Sequence, residues 1–127
     1  MRLLLDTHTA LWFFEDDDRL SRTACSAILE PTNEKFVSIA SAWELAIKIS
    51  LGKLTFEGGA VHFLETAEDN GFAVLPILPE YIRRLEGLPY LHRDPFDRML
   101  IATAMTEGMS LLTADQNIRQ YELPVIW

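Results

Sequence analysis

The chain has 127 residues, 49% hydrophobic and 24% charged, and its 11 Lys and Arg against 19 Asp and Glu give a net charge of −8. These proportions exclude a disordered chain and predict a single domain over residues 1–127 that builds a core without staples. The acidic balance also excludes a general polyanion binder, so any work on nucleic acid needs a metal, a local basic patch or a basic partner.

The first apolar run, Met1 to Leu5, stops at Asp6. It is too short for a signal sequence, whose apolar region spans roughly 7–15 residues, and reads as a buried strand. No apolar run approaches the ~18–20 residues of a membrane span. The lone cysteine, Cys25, precludes an internal disulfide and fits a reducing cytoplasm.

In chain order, Leu3-Leu4-Leu5 predicts a first strand and Thr7 to Phe14 a helix, ended by the solvated run Glu15-Asp16-Asp17-Asp18. A second helix covers Arg22 to Leu29 and is closed by Pro31. Phe36-Val37-Ser38 predicts a second strand. Ser41 then opens a helix with Trp43, Ile47 and Leu51 on an apolar stripe, and Gly52 ends it. A helix over Ala60 to Glu68 stops at Asn70-Gly71, before a third strand, Phe72 to Leu75. Helices over Pro79 to Leu85 and Pro95 to Glu107 lead to a fourth strand, Ser110 to Leu112. A helical turn over Gln116 to Gln120 and a last strand, Val125-Ile126, complete the chain. Short, continuously apolar strands separated by helices predict a mostly parallel sheet covered on both faces, an α/β/α sandwich.

In open sheets of this kind, sites lie beyond the carboxyl ends of the strands. Asp6 and Asp115 follow the first and fourth strands, Glu44 lies near the start of the helix after the second, and Asp94 and Asp97 begin the Pro95 helix. Each has a structural explanation. Asp6 and Asp94 suit helix N-caps, Ser41-Ala42-Trp43-Glu44 matches a capping box, and Asp115 suits a turn. If they converge, the set would either protonate in part or hold a cation: two ionised carboxylates ~5 Å apart repel by ~3 kcal/mol at an effective dielectric of ~20. Oxygen ligands of this type suit Mg²⁺ or Mn²⁺, and such sites hydrolyse phosphodiesters. His8, His62 and His92 are scattered, which argues against zinc.

Four segments carry a family resemblance: Leu3 to His8, Ser41 to Lys48, Asp94 to Ala102, and Leu111 to Asp115. In this order they resemble the PIN-domain ribonucleases, specifically the VapC-type toxins of bacterial type II toxin–antitoxin pairs. The resemblance implies catalytic and metal-binding roles for Asp6, Glu44, Asp97 and Asp115, with Glu44 orienting or deprotonating water. It gives Thr113 a supporting hydroxyl and leaves Asp94 as a helix cap. It implies a Mg²⁺- or Mn²⁺-dependent endoribonuclease acting on structured RNA such as tRNA. A cognate antitoxin, itself a small DNA-binding protein, and a homodimer are expected by the same resemblance.

Other readings stay open at this level. An inactive PIN-like scaffold that binds RNA or protein would have lost an acid, and none is missing. A receiver-type domain would want paired acids after the first strand and a late Lys; a haloacid-dehalogenase-type phosphatase would want Asp-x-Asp where this chain has Asp6-Thr7-His8. Trp12, Phe13 and Trp43 could stack on bases or pack. Arg93 and Arg98 could steer a phosphate or pair with neighbouring acids. Lys48 could pair with Glu44 at i,i+4 or face the substrate, and His8 reads as a helix-face or packing residue rather than a base.

Overall fold

A computed structural model describes residues 1–127. Five strands, β1 (Arg2–Leu5), β2 (Glu34–Ser38), β3 (Ala73–Leu75), β4 (Ser110–Leu112) and β5 (Val125–Ile126), form one sheet in the order β3-β2-β1-β4-β5. Every neighbouring pair is parallel, with Leu4 beside Phe36 on one side and beside Leu111 on the other. Six helices cover the sheet: α1 (Thr7–Phe14), α2 (Arg22–Leu29), α3 (Ile39–Ser50), α4 (Gly59–Asp69), α5 (Pro79–Glu86) and α6 (Pro95–Glu107).

The two-residue period of a strand sorts the first apolar run into two cores. Leu3 and Leu5 enter a cluster with Ala10, Leu11, Ala24, Ile28, Leu45, Phe63 and Ala67, so α1 to α4 lie on that face. Leu4 points the other way, into a cluster with Leu100, Ile101, Ala104, Met109 and Leu111, so α6 covers the second face. All three leucines are fully buried, and each full burial contributes ~1.5–3 kcal/mol. The predicted α/β/α sandwich is the observed fold.

The strand order positions the site. The chain steps outward from β1 to β2 to β3, then returns to place β4 on the opposite flank of β1. The reversal lies between β1 and β4, and a crevice opens at their carboxyl ends. There Asp6 N–H donates to the Leu112 carbonyl at 3.1 Å, tying the two strand ends together.

One expectation is corrected, and the direction of one apolar face is settled. Ser41 does not open α3: the helix starts at Ile39, and Ser38 caps it by accepting from Ala40 N–H. Ser41 and Glu44 therefore lie inside the helix, and the capping-box reading of Glu44 fails because the free N–H groups it would satisfy belong to an earlier turn. The apolar stripe of α3 is also not core. Trp43 is 59% exposed, Leu51 61% and Ile47 37%, while the buried side is made by Ala40, Ala42 and Leu45.

Candidate active site

Asp6 is the first residue past β1, and it caps α1 by accepting from Thr9 N–H at 2.8 Å. Its other oxygen accepts from the Thr113 hydroxyl, which arrives from the end of β4. The expected support by Thr113 is therefore a direct contact. Thr113 also accepts from Asp115 N–H at 3.0 Å, and Asp115 holds its own turn by accepting from Asn117 N–H at 2.8 Å. One hydroxyl thus links the two strand-end acids. Burial pushes the Asp6 carboxyl above its ordinary range, against the hydrogen bonds from Thr113 and Thr9.

Glu44 reaches the same crevice from α3, with only 4% of its surface exposed. Its Oε1 accepts from the Thr7 hydroxyl at 2.7 Å, and Thr7 shares a second bond with Ser41 Oγ at 2.9 Å. Its Oε2 meets Lys48 Nζ at 2.6 Å, which is the i,i+4 pairing of the two readings that the spacing left open. A carboxylate this buried would be costly alone; Lys48 and Thr7 offset that cost.

Asp97 comes from the first turn of α6, where Asp94 is the cap, accepting from Phe96 and Asp97 N–H groups at 2.9 Å each. Asp94 caps as expected and also borders the crevice. The Asp97 carboxyl is pushed up to about 8, by burial first and then by the negative charges of Asp94, Asp115, Asp6 and Glu44. Each predicted acid is thus felt by Asp97, and all line one open cavity of about 330 Å³. Lys48, Arg19, His8 and Trp12 line the same cavity.

Oxygen donors, a shared cavity and mutual repulsion suit a hard divalent cation. No three His, Cys, Asp or Glu side chains are drawn together as a ready-made cage. The convergence is on the scale of a cavity, as for a cation that keeps several of its waters.

Other side chains part from the sequence reading. Arg98 does not steer a phosphate: it is 6% exposed and turned away, donating to the carbonyls of Pro89 at 2.9 Å and Leu88 at 3.3 Å. Arg93 is exposed at the surface. Phe13 packs against Phe14 and Phe72, while half-buried Trp12 lies between His8 and Trp127 with Arg19 over its ring at 5.1 Å. Sequence reasoning missed His92, whose Nε2 lies 3.3 Å from Asp97 Oδ2. Its only signal is its place five residues before that acid. Thr7, which holds Glu44, was also missed, though it adjoins Asp6.

Residues 3–123 match the PIN domain family. The chain is 30% identical over 123 residues to Ribonuclease VapC22 of Mycobacterium tuberculosis, covering 96% of this chain and 93% of that protein. Its fold is similar to that of the Rickettsia felis VapBC2 complex bound to a promoter DNA fragment, with a TM-score of 0.72 at 14% identity and coverage of 98% and 97%. It is also similar to Mycobacterium tuberculosis VapC20, a Sarcin-Ricin loop cleaving toxin, with a TM-score of 0.68 at 13% identity and 95% coverage of each chain. With the ordered motifs, the parallel sheet and the acids at its switch point, these matches place the chain in the PIN-domain family, among its VapC-type members.

Proposed function

We propose that this chain is a Mg²⁺- or Mn²⁺-dependent endoribonuclease that hydrolyses RNA phosphodiester bonds as the toxin of a type II toxin–antitoxin pair. The observation that carries the reading is the meeting of Asp6, Glu44, Asp97 and Asp115 around one cavity at the sheet's switch point. When bound there, a divalent cation supplies charge stabilisation at the phosphate and a more acidic water. Asp6, Asp97 and Asp115 would hold it. Asp6 is fixed for this by Thr113 and Thr9. Asp115 has one oxygen committed to its turn, and Asp97 has one bonded to His92.

Glu44 is placed to orient or accept a proton from the attacking water once Lys48 lets go of Oε2. Lys48 and Arg19 line the cavity but are paired with Glu44 and Asp17, so at a chain charge of −8 most of the local attraction for the phosphate backbone would come from the bound cation. Structured RNA, tRNA among it, is the substrate class proposed. The cytoplasm is the proposed location.

A basic segment of an antitoxin would complement the acidic cavity and block it. Self-association would cover the exposed α3 stripe. Trp43 stands edge-on to Phe96 at 5.2 Å beside a hollow lined by Ala40, Ile77, Leu85 and Met99. We assign this face to a homodimer. Trp43→Glu should convert a dimer to monomer in sedimentation, and an unchanged dimer would move the interface elsewhere.

An inactive scaffold is the alternative, and nothing in the cavity favours it, since all four acids line it. Incubation with total RNA tests the reading. Cleavage with Mg²⁺ or Mn²⁺ that stops with chelator and is absent in Asp6→Asn is expected. Cleavage that survives chelator or the Asn variant would refute the metal mechanism.

A further inference from the structure

We propose that His92 is a positioning residue for Asp97: held from behind by Tyr121, its Nε2–H fixes Asp97 Oδ2 and leaves Oδ1 for a divalent cation. The inference rests on the reading of Asp97 as a cation ligand and deepens it.

The clamp begins at Arg98, the residue after Asp97. Its buried guanidinium donates to the Pro89 and Leu88 carbonyls and lies over the Tyr90 ring at 4.3 Å. Adjacent residues of α6 thus have opposite duties: Asp97 faces the cavity, and Arg98 grips the loop that carries His92. Arg98 also donates to the Tyr121 hydroxyl at 3.1 Å, and His92's own N–H donates to that oxygen at 3.3 Å.

Two donors occupy both lone pairs of the phenol oxygen. Its proton is then left for His92 Nδ1, 2.8 Å away. Nδ1 must accept, so Nε2 carries the hydrogen, and Nε2 is the atom that faces Asp97 Oδ2 at 3.3 Å. The ring side chain is 9% exposed, so water does not compete freely for this bond. A carboxylate gripped at one oxygen loses rotational freedom, and such partners commonly change metal affinity by about 10–100-fold when removed. A histidine that only packs, as its edge contact with the Tyr121 ring at 5.4 Å would allow, needs no particular tautomer and leaves the cation indifferent.

The test has two arms. In the wild-type protein loaded with diamagnetic Mg²⁺, long-range ¹H–¹⁵N NMR of the His92 ring should show the Nε2–H tautomer, and Tyr121→Phe should erode that preference. Separately, Mn²⁺ binding is followed by electron paramagnetic resonance. His92→Leu should weaken it about tenfold, and His92→Gln, whose amide N–H replaces the ring donor, should recover most of the loss. An Nδ1–H tautomer in the wild type would overturn the proposal even if a variant failed to fold. Equal affinity in the wild type and the Leu variant, or equal losses in Leu and Gln, would also overturn it. A wild-type chain that bound no Mn²⁺ would overturn both this role and the metal reading. A chain that bound Mn²⁺ as described but cut no RNA would refute the nuclease reading alone.

Discussion

The turn Glu15-Asp16-Asp17-Asp18 and the cavity at the strand ends are both acidic, and their carboxyls behave in opposite ways. In the turn, Glu15, Asp16 and Asp18 are exposed, and Arg19 grips Asp17 through two bonds of 2.7 and 3.0 Å, lowering its carboxyl to about 2. Water and one nearby cation satisfy the charge. In the cavity, Asp97 is raised to about 8 by burial, by Asp94 on its own helix cap, and by Asp115, Asp6 and Glu44 from other parts of the chain. No cation of the protein satisfies it; the lysine at hand, Lys48, is engaged with Glu44. Acids crowded in sequence are therefore electrostatically quiet here, and acids far apart in sequence hold the unmet charge. A site is marked by the acids that cannot all ionise together.

Substitution breaks this contrast most sharply. Asp6→Asn should lower RNA cleavage by more than about 100-fold, because it removes a ligand charge from the strand end. Its thermal melt should hold, since the Asn side chain still accepts from Thr9 N–H and its neutral amide escapes the burial cost of the charge, which offsets the lost acceptor for Thr113. A melt lowered along with activity would assign Asp6 to the fold instead.

Acid titration separates the two regions next. Between the ordinary value of 3.8 and about 8, native Asp97 keeps a proton that the unfolded chain has lost. Metal-free stability should therefore fall as pH rises through that window. A divalent cation favours the ionised form, so its stabilising effect should grow across the same window. Asp97→Asn should remove both trends, with a metal-free melting temperature above that of the wild type near the upper end. Asp17 has the reverse sign: its contribution is present above 3.8 and is lost as pH falls through about 2. Melting curves across pH, with and without Mg²⁺, check both.

Thr113→Val sharpens the account of the strand ends. It strips the Asp6 carboxylate of one donor and should cost ~1.5–3 kcal/mol in denaturant unfolding. The smallest effect belongs to Asp17→Asn, whose exposed ion pair should contribute little to stability and nothing measurable in ~1 M salt. A larger loss there would mean that the turn is not merely a solvated surface feature.

The sheet was legible because its strands are short and wholly apolar, and Asp6 was legible because it ends one of them. The Pro95 helix was legible through Asp94 and Pro95 at its start; the stop at Gly108, where the backbone adopts a φ of +67° that favours glycine, was not read. The α3 stripe was legible as a stripe but its surroundings were not, because periodicity detects an apolar face and not what covers it: Trp43, Ile47 and Leu51 stand exposed. The capping-box pattern was misread because Ser38 offered a cap three residues earlier. Arg98 was misplaced because adjacency to Asp97 says nothing of direction, and neighbouring residues on a helix point about 100° apart. His92 carries no periodic signal at all, since it lies in a loop that Arg98 and Tyr121 shape.

The central claim is that these distant carboxylates share one charge problem that a cation solves. Carboxyl ¹³C NMR of Asp97 during pH titration, without metal and then with Mg²⁺, tests it most directly. The account predicts titration near 8 in the metal-free protein and a marked fall once Mg²⁺ is added. Titration near 3.8 in both samples would contradict it.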